Sequence, residues 1–183
     1  SELLSYPDSS VFRLLSDKRI KADKPLAREL GCQVGDEWVQ ISGLRTLGDE
    51  GMPICLADVY VIPEYGSIAQ RLGGGSRPVY EMIAESFKES IENITIRLTA
   101  GVLSEQKAAI LGVEPGSSSL SVSRFYEGRG GRSFEVSISE HPASNFSYTF
   151  SNTFSYFTNW FSYLLNSFLY SFKYTSHLFL LCS

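Results

Sequence analysis

Between Ser118 and Tyr148 the chain reads SSLSVSRFYEGRGGRSFEVSISEHPASNFSY, two alternating segments separated by Gly128-Arg129-Gly130-Gly131. Alternation over that length argues for two β-strands, because an extended chain sends successive side chains to opposite faces. The glycines can adopt the positive φ that a short turn needs, so the two strands are predicted to pair as a hairpin. In the second strand Phe134, Val136 and Ile138 point one way, while Glu135, Ser137, Ser139 and His141 point the other. The apolar row predicts a core. The polar row, with a carboxylate, two hydroxyls and an imidazole, has two readings: a solvated sheet face, or the wall of a small-molecule pocket.

The rest of the chain supplies partners for this hairpin. Val11 to Ala22 fits an entering strand. Asp23 can cap a short helix that has Pro25 in its first turn and Gly31 at its end. Glu37 to Arg45 alternates as a strand, and Pro53 to Ile62 is apolar on both faces, as expected of a central strand. Asp58 within it must be paired in place, or else contact a ligand, because an isolated buried carboxylate is costly. Pro78 to Phe87 has Val79, Met82, Ile83 and Phe87 at helical spacing. Ile94 to Leu103 alternates strongly, and Ser104 caps a helix ending at Leu111 and Gly112.

Leu30-Gly31-Cys32-Gln33-Val34-Gly35 is echoed by Leu111-Gly112-Val113-Glu114-Pro115-Gly116. Each follows a short helix and leads into strand, glycine turn and strand, and the echo aligns Pro63 with Pro142. The expected architecture is therefore α+β: an internally duplicated, mostly antiparallel sheet with helices packed on it. The cleft is expected where the two halves meet.

Composition narrows the function. A net charge of −4 gives no basic footprint for nucleic acid. Cys32, Cys55 and Cys182 are odd in number and far apart, which predicts a reducing, cytoplasmic setting rather than a disulfide framework. Ser1 to Ser10 lacks the pattern of a secretory signal, and the starting serine suggests a piece of a longer protein. Gly73-Gly74-Gly75 lacks the preceding strand and following lysine of a phosphate loop, so a flexible loop is expected. No G-x-S-x-G, H-E-x-x-H or C-x-x-C pair occurs. A lone glutamate such as Glu135 is weak ground for general-base chemistry, so neither a catalytic residue, a metal nor a cofactor is predicted.

The segment 151–183 differs from the rest. It carries one full charge, Lys173, and 11 aromatic residues in 33. Its readings, in order of preference, are an irregular or non-native extension, a dimer-packing helix, and a membrane anchor. The last is disfavoured by the Ser, Asn and Thr scattered through a stretch that would need about 20 mostly apolar residues.

From about Lys21 to Tyr148 the ordered set LARELGCQVGDEW, ISGLR…GMPICLADVYVIP, RPVYEMI, LTAGVLSEQKAAILGVEPGSSSLSVSRFYEGRGGRSFEVS and SEHPASNFSY resembles a UTRA (UbiC transcription regulator-associated) domain. That is the effector-binding half of HutC-type repressors in the GntR family. The resemblance implies a chorismate-lyase-like fold and a small-molecule sensor that forms a homodimer. It also implies that DNA is reached only through a winged helix-turn-helix domain, which the residues before Lys21 are too few to build. The expected division is an entering linker or strand at 1–20, the effector-binding domain at 21–150 and an aromatic- and Ser-rich tail at 151–183.

By the same resemblance, Arg45 matches an arginine after the first hairpin strand, a fork suited to carboxylate or phosphate. Gly43 stands where many relatives have a second arginine, and Pro78 replaces a serine. Asp58 and Glu135 match acidic positions, Tyr80 matches the tyrosine opening the middle helix, and His141 sits where some relatives carry tyrosine. Arg124 and Arg97 are further candidates. Arg124 alternates with Leu120 and Val122, and either anchors the effector or forms an internal salt bridge with Asp58 or Glu135. The expected effector site is Arg45, Asp58, Tyr80, Arg124, Glu135, Ser137 and His141, holding a small polar anion. The rival readings are a lyase-like enzyme acting on a small aromatic acid, and a dimerisation module without ligand. No membrane partner is expected.

Overall fold

The computed structural model describes residues 9–48, 51–72 and 77–149, together with the backbone of 151–152 and 176–177. Gly73-Gly74-Gly75 and most of the aromatic tail lie outside the described residues, and so do the expectations placed on them. Six strands form one antiparallel sheet: β1 (Ser10–Lys21), β2 (Glu37–Leu47), β3 (Pro53–Val61), β4 (Asn93–Val102), β5 (Ser118–Glu127) and β6 (Ser133–Pro142). Their order across the sheet is β1-β2-β3-β6-β5-β4. A separate short ladder joins β7 (Ser151–Asn152) to β8 (Ser176–His177).

Each half of the sheet runs strand, helix, strand, strand. Helix α1 (Lys24–Leu30) lies between β1 and β2, and α3 (Glu105–Leu111) between β4 and β5. Asp23 accepts from Leu26 N at 2.9 Å to start α1, and Ser104 accepts from Lys107 N at 3.4 Å to start α3. Both helices end on a left-handed glycine, Gly31 at φ 69° and Gly112 at φ 69°. That conformation costs little without a Cβ. After the caps, Gly35 N donates to Ala22 O at 2.7 Å and Gly116 N to Leu103 O at 3.0 Å, so the echoed segments close the same kind of turn.

The two halves meet along β3 and β6, paired from Val61↔Glu135 to Leu56↔Glu140. Opposed residues of an antiparallel ladder share a face. One face therefore carries Ala57, Val59 and Val61 beside Glu135, Ser137 and Ser139. The other carries Leu56, Asp58 and Tyr60 beside Val136, Ile138 and Glu140. Helix α3 covers this second face, with Ala108 and Leu111 packed near Leu44 and Leu56. The first face is covered by α2 (Val79–Phe87) and by a 3-10 helix, Pro63–Arg71. The latter lies so near β2 that a Cβ at Gly66 would come 2.7 Å from Val39 Cγ2. Ile41, Val61, Ile83 and Val136 are fully buried. Each such side chain adds about 1.5–3 kcal/mol relative to exposure.

Candidate functional site

A small concavity opens on the face covered by α2. Its floor is the junction of the two halves: Ala57 and Val59 from β3, and Glu135, Ser137 and Ser139 from β6. Arg45 on β2 and Phe12 on β1 close one end, and Arg124 and Tyr126 on β5 close the other. Leu72, Arg77, Pro78, Val79 and Tyr80 form the rim. Small residues on the floor leave the space, while long side chains at both ends turn towards it.

The first end is cationic and aromatic. Arg45 Nη1 donates to Ser10 Oγ at 3.0 Å, and its Cζ lies 5.5 Å from the Phe12 ring centroid. Both contacts fix a guanidinium that would otherwise sample many rotamers. Phe12 also occupies the space over Gly43: a Cβ there would lie 2.1 Å from Phe12 Cζ. The ring thus fills the position into which a side chain at 43 would project, giving a physical reason for glycine at that site.

The second end holds a buried carboxyl. Glu135 is 2% exposed, and its Oε2 has no hydrogen-bond partner among the described residues. Burial raises its pKa well above the ordinary 4.5, and the favourable charge of Arg124 only partly opposes this. The carboxyl is therefore held towards its neutral form, able to donate as well as accept. Tyr80 stacks on Tyr126, with centroids 4.5 Å apart and 19° between planes, and makes an aromatic shelf beside it. Burial, followed by the charge of Glu81, pushes the Tyr80 phenol up to about 12, so it remains a neutral donor.

A pH dependence follows from Glu135. Between about pH 4.5 and its raised native value the unfolded chain loses a proton that the folded chain keeps, so stability falls as pH rises through that window. Glu135→Gln is expected to raise the melting temperature at neutral pH and to flatten this decline. Thermal melts from pH 5 to pH 8 check it; parallel profiles for both proteins would show Glu135 to be ionised in the fold.

The sequence placed seven side chains in one site, and the structure brings five of them to the concavity: Arg45, Tyr80, Arg124, Glu135 and Ser137. Asp58 lies on the opposite face, where its Oδ1 accepts from Gln40 Nε2 at 3.0 Å and from Ser42 Oγ. It is satisfied within the sheet by its β2 neighbours, and it cannot be the partner of Arg124. His141 lies in the polar row but is fully buried beneath Phe146, with ring centroids 3.8 Å apart and Nδ1 3.2 Å from Leu120 O. Burial drives its pKa down to about 4, so it stays neutral and costs stability as pH falls below 6.5. Arg97 faces away from the concavity, 4.7 Å above the Phe125 ring. The polar row is not a wet sheet face, since Glu135, Ser137, Ser139 and His141 are all buried. Phe12 and Tyr126 were missed as lining residues, while Ser139, placed in the polar row read as a pocket wall, was left out of the expected effector site. For Tyr126 the signal was parity with Arg124 along β5.

The family model of the UTRA domain matches residues 8–147. This chain belongs to the UTRA domain family. The match takes in β1, whose Phe12 closes the concavity, so the UTRA domain here includes the first strand of the sheet. Its fold is similar to the ligand-binding domain of a GntR-family transcriptional regulator from Bordetella bronchiseptica: TM-score 0.62, 23% identity, covering 78% of this chain and 88% of that one. It is also similar to the effector domain of PhnF from Mycobacterium smegmatis, at TM-score 0.61 and 18% identity, covering 74% and 82%. Against PhnF itself, at TM-score 0.61 and 17% identity, the aligned part is 73% of this chain and 58% of PhnF. At these identities the likeness is one of fold. No curated protein matches the sequence.

Proposed function

We propose that this UTRA domain is the effector-binding part of a GntR-type transcriptional regulator, of the HutC kind, and that its effector is a small polar anion. The observation that carries the reading is the concavity at the junction of the two halves. Two buried guanidinium groups, Arg45 and Arg124, stand at its ends, and the buried Glu135 lies beside one of them. Guanidinium forks recognise carboxylate or phosphate with two parallel hydrogen bonds, and burial strengthens each. The neutral carboxyl of Glu135, the hydroxyl of Ser137 and the Tyr80–Tyr126 shelf would orient the rest of the molecule. The relatives described as ligand-binding and effector domains support the same assignment.

Such a domain performs no reaction. It works by binding the effector more tightly in one arrangement of the regulator than in another, and its leverage equals that difference in affinity. DNA contact belongs to a winged helix-turn-helix domain in the longer regulator, acting in the cytoplasm. Among the described residues no helix is long and apolar enough to cross a membrane.

A thermal-shift screen of the purified chain with sugar phosphates, organic acids and amino-acid catabolites tests the proposal. A melting temperature raised by one class of anion, with stoichiometric binding and no product, supports it. Turnover of a bound aromatic acid would identify a lyase instead. Indifference to the whole panel would leave a dimerisation module.

A further inference from the structure

The second face of the sheet carries a hollow of its own, about 310 Å³ in volume and on the other side of the strands from the effector concavity. That volume is in the ordinary range for small-molecule sites. Helices α1 and α3 contribute Glu29 and Lys107 to it. Its floor is β5, where alternation brings Ser119, Ser121 and Ser123 to one side, with Arg97 and Thr99 opposite them on β4. A sheet face packed beneath helices ordinarily buries apolar side chains. Three short hydroxyls in that place leave space instead of filling it.

Some polar groups of the hollow are already satisfied. Lys107 Nζ donates to one oxygen of Glu140, and Ser119 Oγ donates to the other at 3.2 Å. Ser123 differs. It is 7% exposed and lines the hollow, yet its hydroxyl has no hydrogen-bond partner among the described residues. A buried hydroxyl costs free energy until something pairs with it. Charge divides in the same way. Arg97 and Glu29 both line the hollow, and neither joins an ion pair among the described residues. Arg97 is held instead by Phe125, with its Cζ 4.7 Å from the ring centroid, which limits the rotamers of an exposed guanidinium.

We propose that this hollow binds a small zwitterion, a polar α-amino acid, with Arg97 on its carboxylate, Glu29 on its ammonium and the serine hydroxyls beneath it. A cation and an anion that line one space without meeting suit a ligand carrying both charges. A simple anion would be repelled by Glu29, and a simple amine by Arg97. The hydroxyls of Ser121, Ser123 and Thr99 can each donate to a carboxylate or accept from an ammonium. Lys107 and Glu140 cancel one another, so they favour neither charge. The hollow also backs onto the effector concavity: Ser123 is followed by Arg124, and Ile138 of the hollow lies between Ser137 and Ser139 of the concavity. Ligands on the two faces therefore bear on the same two strands, β5 and β6.

Titration calorimetry of the whole chain with L-serine, L-threonine, L-asparagine, L-glutamine and L-histidine tests the site. Lactate and ethanolamine serve as analogues that each lack one of the two charges. At least one amino acid should bind one-to-one at millimolar concentration or below, and both analogues at least tenfold more weakly. Arg97→Gln and Glu29→Gln change exposed side chains, and each should weaken binding at least tenfold with the melting temperature unchanged. In the wild type, amide NMR shifts on titration should centre on Thr99, Ser121 and Ser123, a readout that needs no variant. The proposal is overturned if no amino acid binds at millimolar concentration, or if either analogue binds as tightly. It is equally overturned if both variants keep wild-type affinity, or if the shifts centre on β2 and α2 and so place the ligand in the first concavity.

Discussion

Replacing Phe134 with alanine is expected to cost this UTRA domain about 3–5 kcal/mol, the usual range for removing a buried aromatic ring. That corresponds to a fall in melting temperature of roughly 10 °C for a chain of this size. Phe134 opens β6 and is 1% exposed. Its ring meets Tyr65 edge-on at 6.1 Å and Tyr126 at 6.4 Å, and its carbonyl accepts from Ile62 N at 3.1 Å. The side chain thus ties the 3-10 helix after β3 to the β5–β6 hairpin. The cavity left behind would be bounded by strands that cannot close on it without breaking their ladders, which puts the cost in the upper part of the range. Tyr126 also stacks under Tyr80, so loss of Phe134 should loosen the aromatic shelf and weaken effector binding as well. Equilibrium denaturation followed by tryptophan fluorescence measures the first effect. A loss below about 1 kcal/mol would show that the ring is not a keystone of the hairpin.

Arg45→Ala is expected to weaken binding of the effector found in the screen by at least tenfold, about 1.4 kcal/mol. The side chain is buried, hydrogen-bonded to Ser10 and set against Phe12, so its guanidinium is positioned before any ligand arrives. Little conformational entropy remains to be lost on binding, which is the condition under which an arginine contributes most to affinity. Arg45→Lys should fall between wild type and alanine, keeping the charge but not the fork. Titration calorimetry on all three proteins, with melts of each without ligand, separates lost recognition from lost stability. Unchanged affinity in Arg45→Ala would remove this residue from the site and shift the anchoring to Arg124.

Much of the architecture was readable before any coordinates. Alternation marked the strands, and helical spacing marked α2. The glycine-ended helices marked the ends of α1 and α3, and the central place of β3 followed from its being apolar on both faces. These features are local: each depends on which side chains lie two, three or four positions apart along one segment. The echo between Leu30–Gly35 and Leu111–Gly116 fell at equivalent places in the two halves for the same reason, because a left-handed glycine and the turn after it are specified within a few residues.

The lining of the concavity was legible only in part. Arg45, Tyr80, Arg124, Glu135 and Ser137 were assigned to it from residue type and family pattern. The parity of β6 even gave the correct row for Glu135 and Ser137. What parity within one strand cannot give is the face a neighbouring strand presents, since that depends on cross-strand register. Asp58 sits beside Val59 in sequence, yet it projects to the other side of the sheet, where Gln40 and Ser42 satisfy it. His141 lies in the right row, but it is fully buried against Phe146 and does not line the concavity. Sequence by itself determined the strands, the helix ends, the polar row and its likeness to a sensor domain, because those are properties of short segments. Only the tertiary structure decided which polar groups share a cavity. That depends on which strands lie side by side, which helix covers which face, and how far each buried group is removed from water.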